Sequence, residues 1–157
     1  MKRLFSRLFT SKAEIFHKAL EYERNRGAII EIGADEQWFV ALTGKTPEDL
    51  NEGGLIMLIL FQKQSSSQVA SIKTIYYSDK KELVICDFIS SVENRGFGSI
   101  LLRDIIELGK QFDCKITTGK LSYVDYDHFD KLKHLYEKFN FEVNITGESG
   151  TIIRRLV

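Results

Sequence analysis

The sequence lacks a net charge: 22 Lys and Arg residues offset 22 Asp and Glu. No global field therefore draws the chain toward nucleic acid or a strongly acidic partner. Cysteine is scarce, with only Cys86 and Cys114, both in apolar strand-like runs and without metal-ligand spacing. That argues against a disulfide framework or a metal centre, and two buried free thiols in a reducing cytoplasm are expected. His128 and His134, six residues apart, also share no metal pattern, and His17 reads as a helix-surface residue. No uninterrupted apolar run approaches the ~20 residues that span a bilayer. The N-terminal Met1-Lys-Arg-Leu-Phe-Ser-Arg-Leu-Phe9 is basic and amphipathic but lacks the long apolar region and cleavage site of a secretory signal. It is expected to pack on the domain or fray rather than anchor stably to a membrane. Repeats and low-complexity tracts are missing too. The one soft spot, Gln64-Ser-Ser-Ser-Gln68, has the size of a hairpin turn.

What remains is an ordinary globular composition, 43% hydrophobic and 28% charged over 157 residues. One domain over residues 1–157 is expected, with 1–10 loosely packed. A chain of this size buries roughly 70% of its unfolded surface and needs no staple. Periodicity predicts a helix from Ser11 to Arg24 with Ile15, Ala19 and Tyr22 inward, then short strands at Ala28–Ile32 and Gln37–Leu42 around Gly33-Ala-Asp. The only proline, Pro47, follows Thr46 at the start of a helical turn that Gly53-Gly54 ends. Three longer strands, Leu55–Gln62, Val69–Tyr77 and Glu82–Ser90, form an antiparallel meander. From Phe97 to about Asp113 the period turns helical, with Leu101, Ile105, Leu108 and Phe112 in one stripe widened by Ile100 and Leu102. A strand follows at Cys114–Thr118, then a helix from about Asp127 with Phe129, Leu132, Tyr136 and Phe139 on one face. Strands at Phe141–Ile145 and Thr151–Leu156 close the chain. A helix linking Glu82–Ser90 to Cys114–Thr118 favours a parallel crossover. The fold class is therefore α/β (α+β), a mixed, mostly antiparallel sheet flanked by helices.

The informative loop is Val92-Glu-Asn-Arg-Gly-Phe-Gly-Ser-Ile-Leu-Leu102, between a strand and the strongest helix. Helix N-termini expose unpaired N–H groups and the positive end of the macrodipole. Gly96 and Gly98 allow backbone amides to approach a phosphate, and Ser99 offers a hydroxyl in the first turn. A dinucleotide fingerprint would need a third glycine where Leu101 stands. A Walker A loop would need a Gly-Lys-Ser/Thr that is absent.

Glu93-Asn-Arg-Gly-Phe-Gly98, just after the strand Glu82–Ser90, resembles the Gln/Arg-x-x-Gly-x-Gly/Ala signature that follows the fourth strand in the GCN5-related N-acetyltransferases. Ser99-Ile-Leu-Leu102 is similar to that family's helix opening, and Leu135-Tyr-Glu-Lys-Phe-Asn-Phe141 to its Phe-Tyr-x-Lys-x-Gly-Phe block. Gly119-Lys-Leu-Ser122, with Asp125 and Asp127, lies between them as in bacterial members. The resemblance covers Glu82 to about Val143. It implies an acetyl group moved from acetyl-CoA to an amine by direct attack in a ternary complex, without a metal. It further implies a diphosphate held by main-chain amides of Glu93, Asn94, Arg95, Gly96, Phe97, Gly98 and Ser99. The strand Glu82–Ser90 would splay from its neighbour, so that Phe88 and Ile89 offer free backbone groups, one as an oxyanion donor. Tyr136 stands where the family has the tyrosine that protonates the leaving thiolate.

The chain departs from the pattern in four places: Glu93 replaces Gln or Arg, Asn140 replaces glycine, Phe129 stands for an asparagine, and the paired acceptor-side helices shrink to Thr46–Leu50. Tyr136 also fits a core role. Asp87, in an apolar strand and expected to face opposite Cys86 and Phe88, is either a base for the amine or a sheet residue paired with a lysine. Glu31 and Asp35 are further base candidates near the acceptor side. Trp38 and Phe39 read as cleft or core residues, Tyr123 and Tyr126 as covers for the thioester. Lys131, Lys133 and Lys138 read as a solvated face or a contact to the adenosine 3′-phosphate. The expected partner is a small-molecule or peptide amine, with no nucleic acid, a homodimer being compatible and the location cytoplasmic. The alternatives are a catalytically silent CoA-binding regulatory domain and a partner-binding module using the basic N-terminal turn.

Overall fold

The computed structural model describes residues 12–43, 52–63, 67–90, 96–121 and 129–155. The Thr46–Leu50 turn, Glu93 to Arg95, Tyr123, Tyr126 and His128 lie outside them. Among the described residues the order is α1 (Lys12–Asn25), β1 (Ile29–Ile32), β2 (Trp38–Thr43), β3 (Gly54–Gln62), β4 (Ser67–Tyr77) and β5 (Glu82–Ser90). Then come α2 (Phe97–Gln111), β6 (Ile116–Leu121), α3 (Phe129–Lys138), β7 (Glu142–Thr146) and β8 (Ser149–Arg155). The strands form one sheet in the order β1-β2-β3-β4-β5-β6-β8-β7. Among the described strands only β5 and β6 pair in parallel. A parallel pair needs a long crossover, and α2 supplies it. The expected class, a mixed and mostly antiparallel sheet flanked by helices, is the observed one.

Alternation along β2 explains why both faces of the sheet are covered. Val40 and Leu42 join Leu58, Leu60, Ile72 and Leu83 beneath α2, whose Leu101, Leu102, Ile105 and Ile106 are buried there. Phe39 and Ala41 point to the opposite face, against Phe16 and Leu20 of α1. Phe39 stacks on Phe61 at 4.6 Å and meets the edge of Phe16 at 5.2 Å. Phe39 is thus core, and Trp38 covers Gly33 so closely that a Cβ there would lie 2.5 Å from the indole. The inward face of α1 is not the expected one. Ile15 and Tyr22 are exposed, whereas Phe16, Leu20 and Glu23 are buried. The aromatic pair on β2 and β3 selects the face carrying Phe16, and periodicity alone does not choose between two neighbouring apolar stripes.

Helix α2 ends where expected, by a Schellman turn. Asp113 adopts φ 54°, with Asp113 N–H donating to Lys110 O at 3.0 Å and Cys114 N–H to Gly109 O at 2.8 Å. Cys114 is buried, and burial pushes its thiol up to about 11, so it stays protonated and inert. Cys86 is exposed, contrary to expectation, for a reason that lies in β5.

Candidate functional site

Strand β5 departs from regular alternation at one residue. In its ladder with β4, Lys73 faces Asp87 and Thr74 faces Ile85, which leaves Cys86 without a partner. This is a β-bulge. Leu83 and Ile85 point under α2. Unbroken alternation would send Asp87 after them and turn Phe88 outward. The extra residue resets the phase: Cys86 and Asp87 are both exposed, and Phe88 turns in against the helices. Asp87 therefore faces opposite Phe88, as expected, but shares the exposed side of the bulge with Cys86. Across the ladder it stands beside Lys73, the kind of lysine neighbour a sheet-face carboxylate would have.

The bulge also coincides with a parting of the sheet. The β5–β6 ladder runs from Glu82↔Ile116 to Ile85↔Gly119 and stops. Beyond it β5 continues to Ser90 alongside β4 alone, while Lys120 and Leu121 of β6 stay with β8. A bulge sharpens local twist, which swings the end of β5 away from β6. The result is a wedge bounded by Cys86–Ser90 on one side and Lys120–Leu121 on the other. Phe88 and Ile89 lie on its unpaired edge, and Ile89 is 54% exposed.

The N-terminus of α2 follows the end of β5. Gly96 is the N-cap at φ 77°, ψ 4°, with no side-chain cap and no acidic residue in the first turn. Among the described residues nothing lies within 4 Å of a Cβ at Gly96, and the left-handed backbone is what calls for glycine there. Gly96→Ala is expected to cost about 1 kcal/mol in urea unfolding, a loss from strain rather than lost contacts. Gly98 has a different reason. A Cβ there would sit 3.2 Å from the Phe88 ring and 3.3 Å from Leu135, so its absence lets α2 close onto β5 and α3. The Tyr136 ring, only 2% exposed, stands edge-on to Phe88 at 6.2 Å and to Phe141 at 5.3 Å. Asn140 takes the left-handed φ of 64° that its exchange for glycine requires, and Phe141 N–H donates to Tyr136 O at 3.1 Å. Phe88, Gly98 and Tyr136, far apart in sequence, thus share one junction.

Other candidates lie elsewhere. Lys133 reaches Glu137 at 3.8 Å and Lys138 sits over Phe139, as on a solvated helix face. Asp35 accepts from Gln37 N–H at 3.1 Å within the β1–β2 turn. Glu31 is on β1, four strands from β5 and so about 19 Å away at sheet spacing. It is engaged there: Arg103 Nη2 reaches Glu31 Oε1 at 2.6 Å and Asp104 Oδ1 at 2.7 Å. Neither Asp35 nor Glu31 joins the wedge.

The Glu31–Arg103–Asp104 cluster is a feature the sequence does not advertise, beyond an acid at the margin of the α2 stripe. Burial, with the Glu31 carboxyl beside it, lifts Asp104 to about 7. The folded state then holds a proton that the unfolded chain releases near pH ~4, so stability falls as pH rises through that window and the loss is complete above about 7. Between pH 5 and pH 8 the protein should lose about 2 kcal/mol more than Asp104→Asn, measured by urea unfolding at each pH. Equal losses would mean that Asp104 titrates normally.

Among the described residues no group of His, Cys, Asp and Glu has the geometry to hold a metal, and no helix is long and apolar enough to cross a membrane.

No protein-family model matches the chain. Among curated proteins, the uncharacterized protein YocC of Bacillus subtilis is 23% identical over 125 residues, covering 78% of this chain and 72% of its own. Solved structures match more widely. The PaiA N-acetyltransferase of Thermoplasma acidophilum, in complex with coenzyme A, aligns with a TM-score of 0.55 at 12% identity. That alignment takes in 69% of this chain, which thus spans only 65% of the Thermoplasma protein. A Bacillus subtilis acetyltransferase in complex with CoA also aligns at 0.55 and 12% identity, over 75% of this chain and 98% of its own. A Bacillus cereus acetyltransferase aligns at 0.53 and 15% identity over 89% and 87%. The parted parallel pair, the crossover helix and these superpositions agree: the chain has the fold of the GNAT acetyltransferases.

Proposed function

We propose that the protein is an acetyl-CoA-dependent N-acetyltransferase working by direct attack in a ternary complex. The observation that carries this is the end of the β5–β6 ladder at Ile85 and Gly119, with the unpaired end of β5 leading to a helix α2 whose first turn holds no acidic residue. The residues present suit the donor. Amides of Gly96, Phe97, Gly98 and Ser99 are first-turn donors at the positive end of a 15-residue helix, and no carboxylate of that turn competes for them. Amides of Glu93, Asn94 and Arg95 would extend the set. The free edge of β5 at Phe88 and Ile89 would run beside the pantetheine, one N–H polarising the thioester carbonyl. Tyr136 would return a proton to the leaving thiolate, and exposed Asp87 would take one from the attacking amine. A thiol with pKa ~8.5 leaves as thiolate and accepts a proton from a phenol of pKa ~10 only where water is excluded. The burial of the Tyr136 ring supports that condition.

Two measurements on the full chain test the reading. Calorimetry with CoA and acetyl-CoA should give saturable binding, and acetyl-CoA with a panel of primary amines should release free thiol. No heat at millimolar ligand would end the proposal. Binding without thiol release from any amine would favour the second reading, a silent CoA-binding domain. The packing of Tyr136 among Phe88 and Phe141 also suits that reading.

A further inference from the structure

A cavity of about 210 Å³ lies between the β1–β2–β3 face and the C-terminal half of α2. Its walls include Ile30, Val40, Leu42, Leu58 and Leu108, and its mouth holds Glu31, Asp104 and Glu107. An enclosed apolar cavity of about 150 Å³ admits benzene, so this larger depression, open to solvent at its mouth, has room for an aromatic ring or a short alkyl chain. Its rim is unequal in charge. Arg103 is spread over Glu31 Oε1 and Asp104 Oδ1, and Lys110 is held by Glu107 at 2.6 Å. Among the described residues three carboxyl groups thus share two cations, and no hydrogen-bond donor reaches the buried Asp104 Oδ2. An unmet buried acceptor beside an apolar space is costly unless a donor comes to it.

We propose that this cavity binds a small apolar amine, an alkyl- or arylammonium whose hydrocarbon fills the space while its N–H groups donate to Asp104 and Glu31. An ammonium has three donors and no acceptor, which suits an oxygen with no donor and a rim short of one cation. A neutral isostere would gain the apolar contacts without the charge. β2 and β3 give the cavity no titratable side chain, so the rim groups Glu31, Arg103, Asp104, Glu107 and Lys110 set its electrostatics. Below pH 7 a proton on Asp104 takes the place the ammonium would fill. The site stands apart from the wedge: Asp104 is eight residues along α2 from Gly96, about 12 Å at the helical rise, and β3 is two strands from β5. An amine held there is bound away from the proposed acyl group, and the inference does not depend on acetyl transfer.

The test uses benzylamine and benzyl alcohol with the full chain at pH 8, read by calorimetry and by side-chain methyl NMR. Benzylamine should bind with a Kd of about 1 mM or tighter, shifting the methyls of Leu42, Leu58 and Leu108. Benzyl alcohol should bind at least about tenfold more weakly, and so should benzylamine to Asp104→Asn, with its fold checked by its melt. Exposed Glu31→Gln should weaken binding without disturbing the core, and neither variant should change thiol release from acetyl-CoA. Equal binding of the alcohol, undiminished binding to both variants, or shifts confined to the methyls of Ile89 and Leu135 beside the wedge would overturn the proposal. No saturation by about 10 mM would also end it.

Discussion

Replacing Ser99 with aspartate is expected to weaken CoA binding about 100-fold while leaving the melting temperature unchanged or slightly raised. Ser99 is the third residue of α2, in a first turn without an acid or a side-chain cap. A carboxylate there complements the helix dipole and should add about 0.3–1 kcal/mol to stability. The same charge stands where the diphosphate would bind. At about 5 Å and an effective dielectric near 40, each pair of charges repels by roughly 1.7 kcal/mol, so two diphosphate charges give about 3 kcal/mol. That is the 100-fold. The opposite signs make the test discriminating, since a damaged fold would lose both quantities together. Calorimetry with CoA and a thermal melt on the same sample decide it, and the deficit should shrink with added salt. An unchanged Kd in a stabilised protein would remove the diphosphate from the α2 terminus.

Tyr136→Phe is expected to lower kcat for acetyl-CoA and amine by about 100-fold with CoA affinity unchanged. The substitution keeps the ring between Phe88 and Phe141 and deletes the hydroxyl alone. Its stability effect should remain near 1 kcal/mol, the worth of one hydrogen bond. Loss of kcat with intact binding identifies a group acting on the leaving thiolate. Unchanged kcat makes Tyr136 a core tyrosine and moves the proton to solvent. Because the ring is buried, the result also reports whether the junction excludes water when the donor is bound.

The two substitutions probe one junction from its two sides, and that junction was only half legible in advance. Gly96 and Gly98 announce a helix start that tolerates a close neighbour, because glycine after a strand and before a strong apolar stripe has few other uses. The stripe of α2 and the crossover it makes are equally plain, since 3.6-residue periodicity over 15 residues has one interpretation. The similarity of two separate blocks to one family adds the pairing of Tyr136 with the glycine loop, which neither block implies alone. Gly98 shows the limit of such reading: its empty Cβ position admits Phe88 and Leu135, so packing as well as phosphate approach accounts for it.

Composition and periodicity by themselves determined most strand and helix boundaries among the described residues to within two residues, together with the parallel crossover and the glycine start of α2, although β6 runs three residues past the expected Thr118, to Leu121. These are local properties, written in the spacing of apolar residues and the placement of glycine. Only the tertiary structure decided the rest. The bulge at Cys86 chose which of Asp87 and Phe88 turns inward, and Phe16 rather than Ile15 seated α1. Glu31 met Asp104 at the mouth of the cavity, through Arg103, from 73 positions away in the chain. Each depends on which side chains a neighbouring strand or helix presents, and one added residue in a ladder reverses every facing beyond it. Such choices are made between segments, where no local pattern records them.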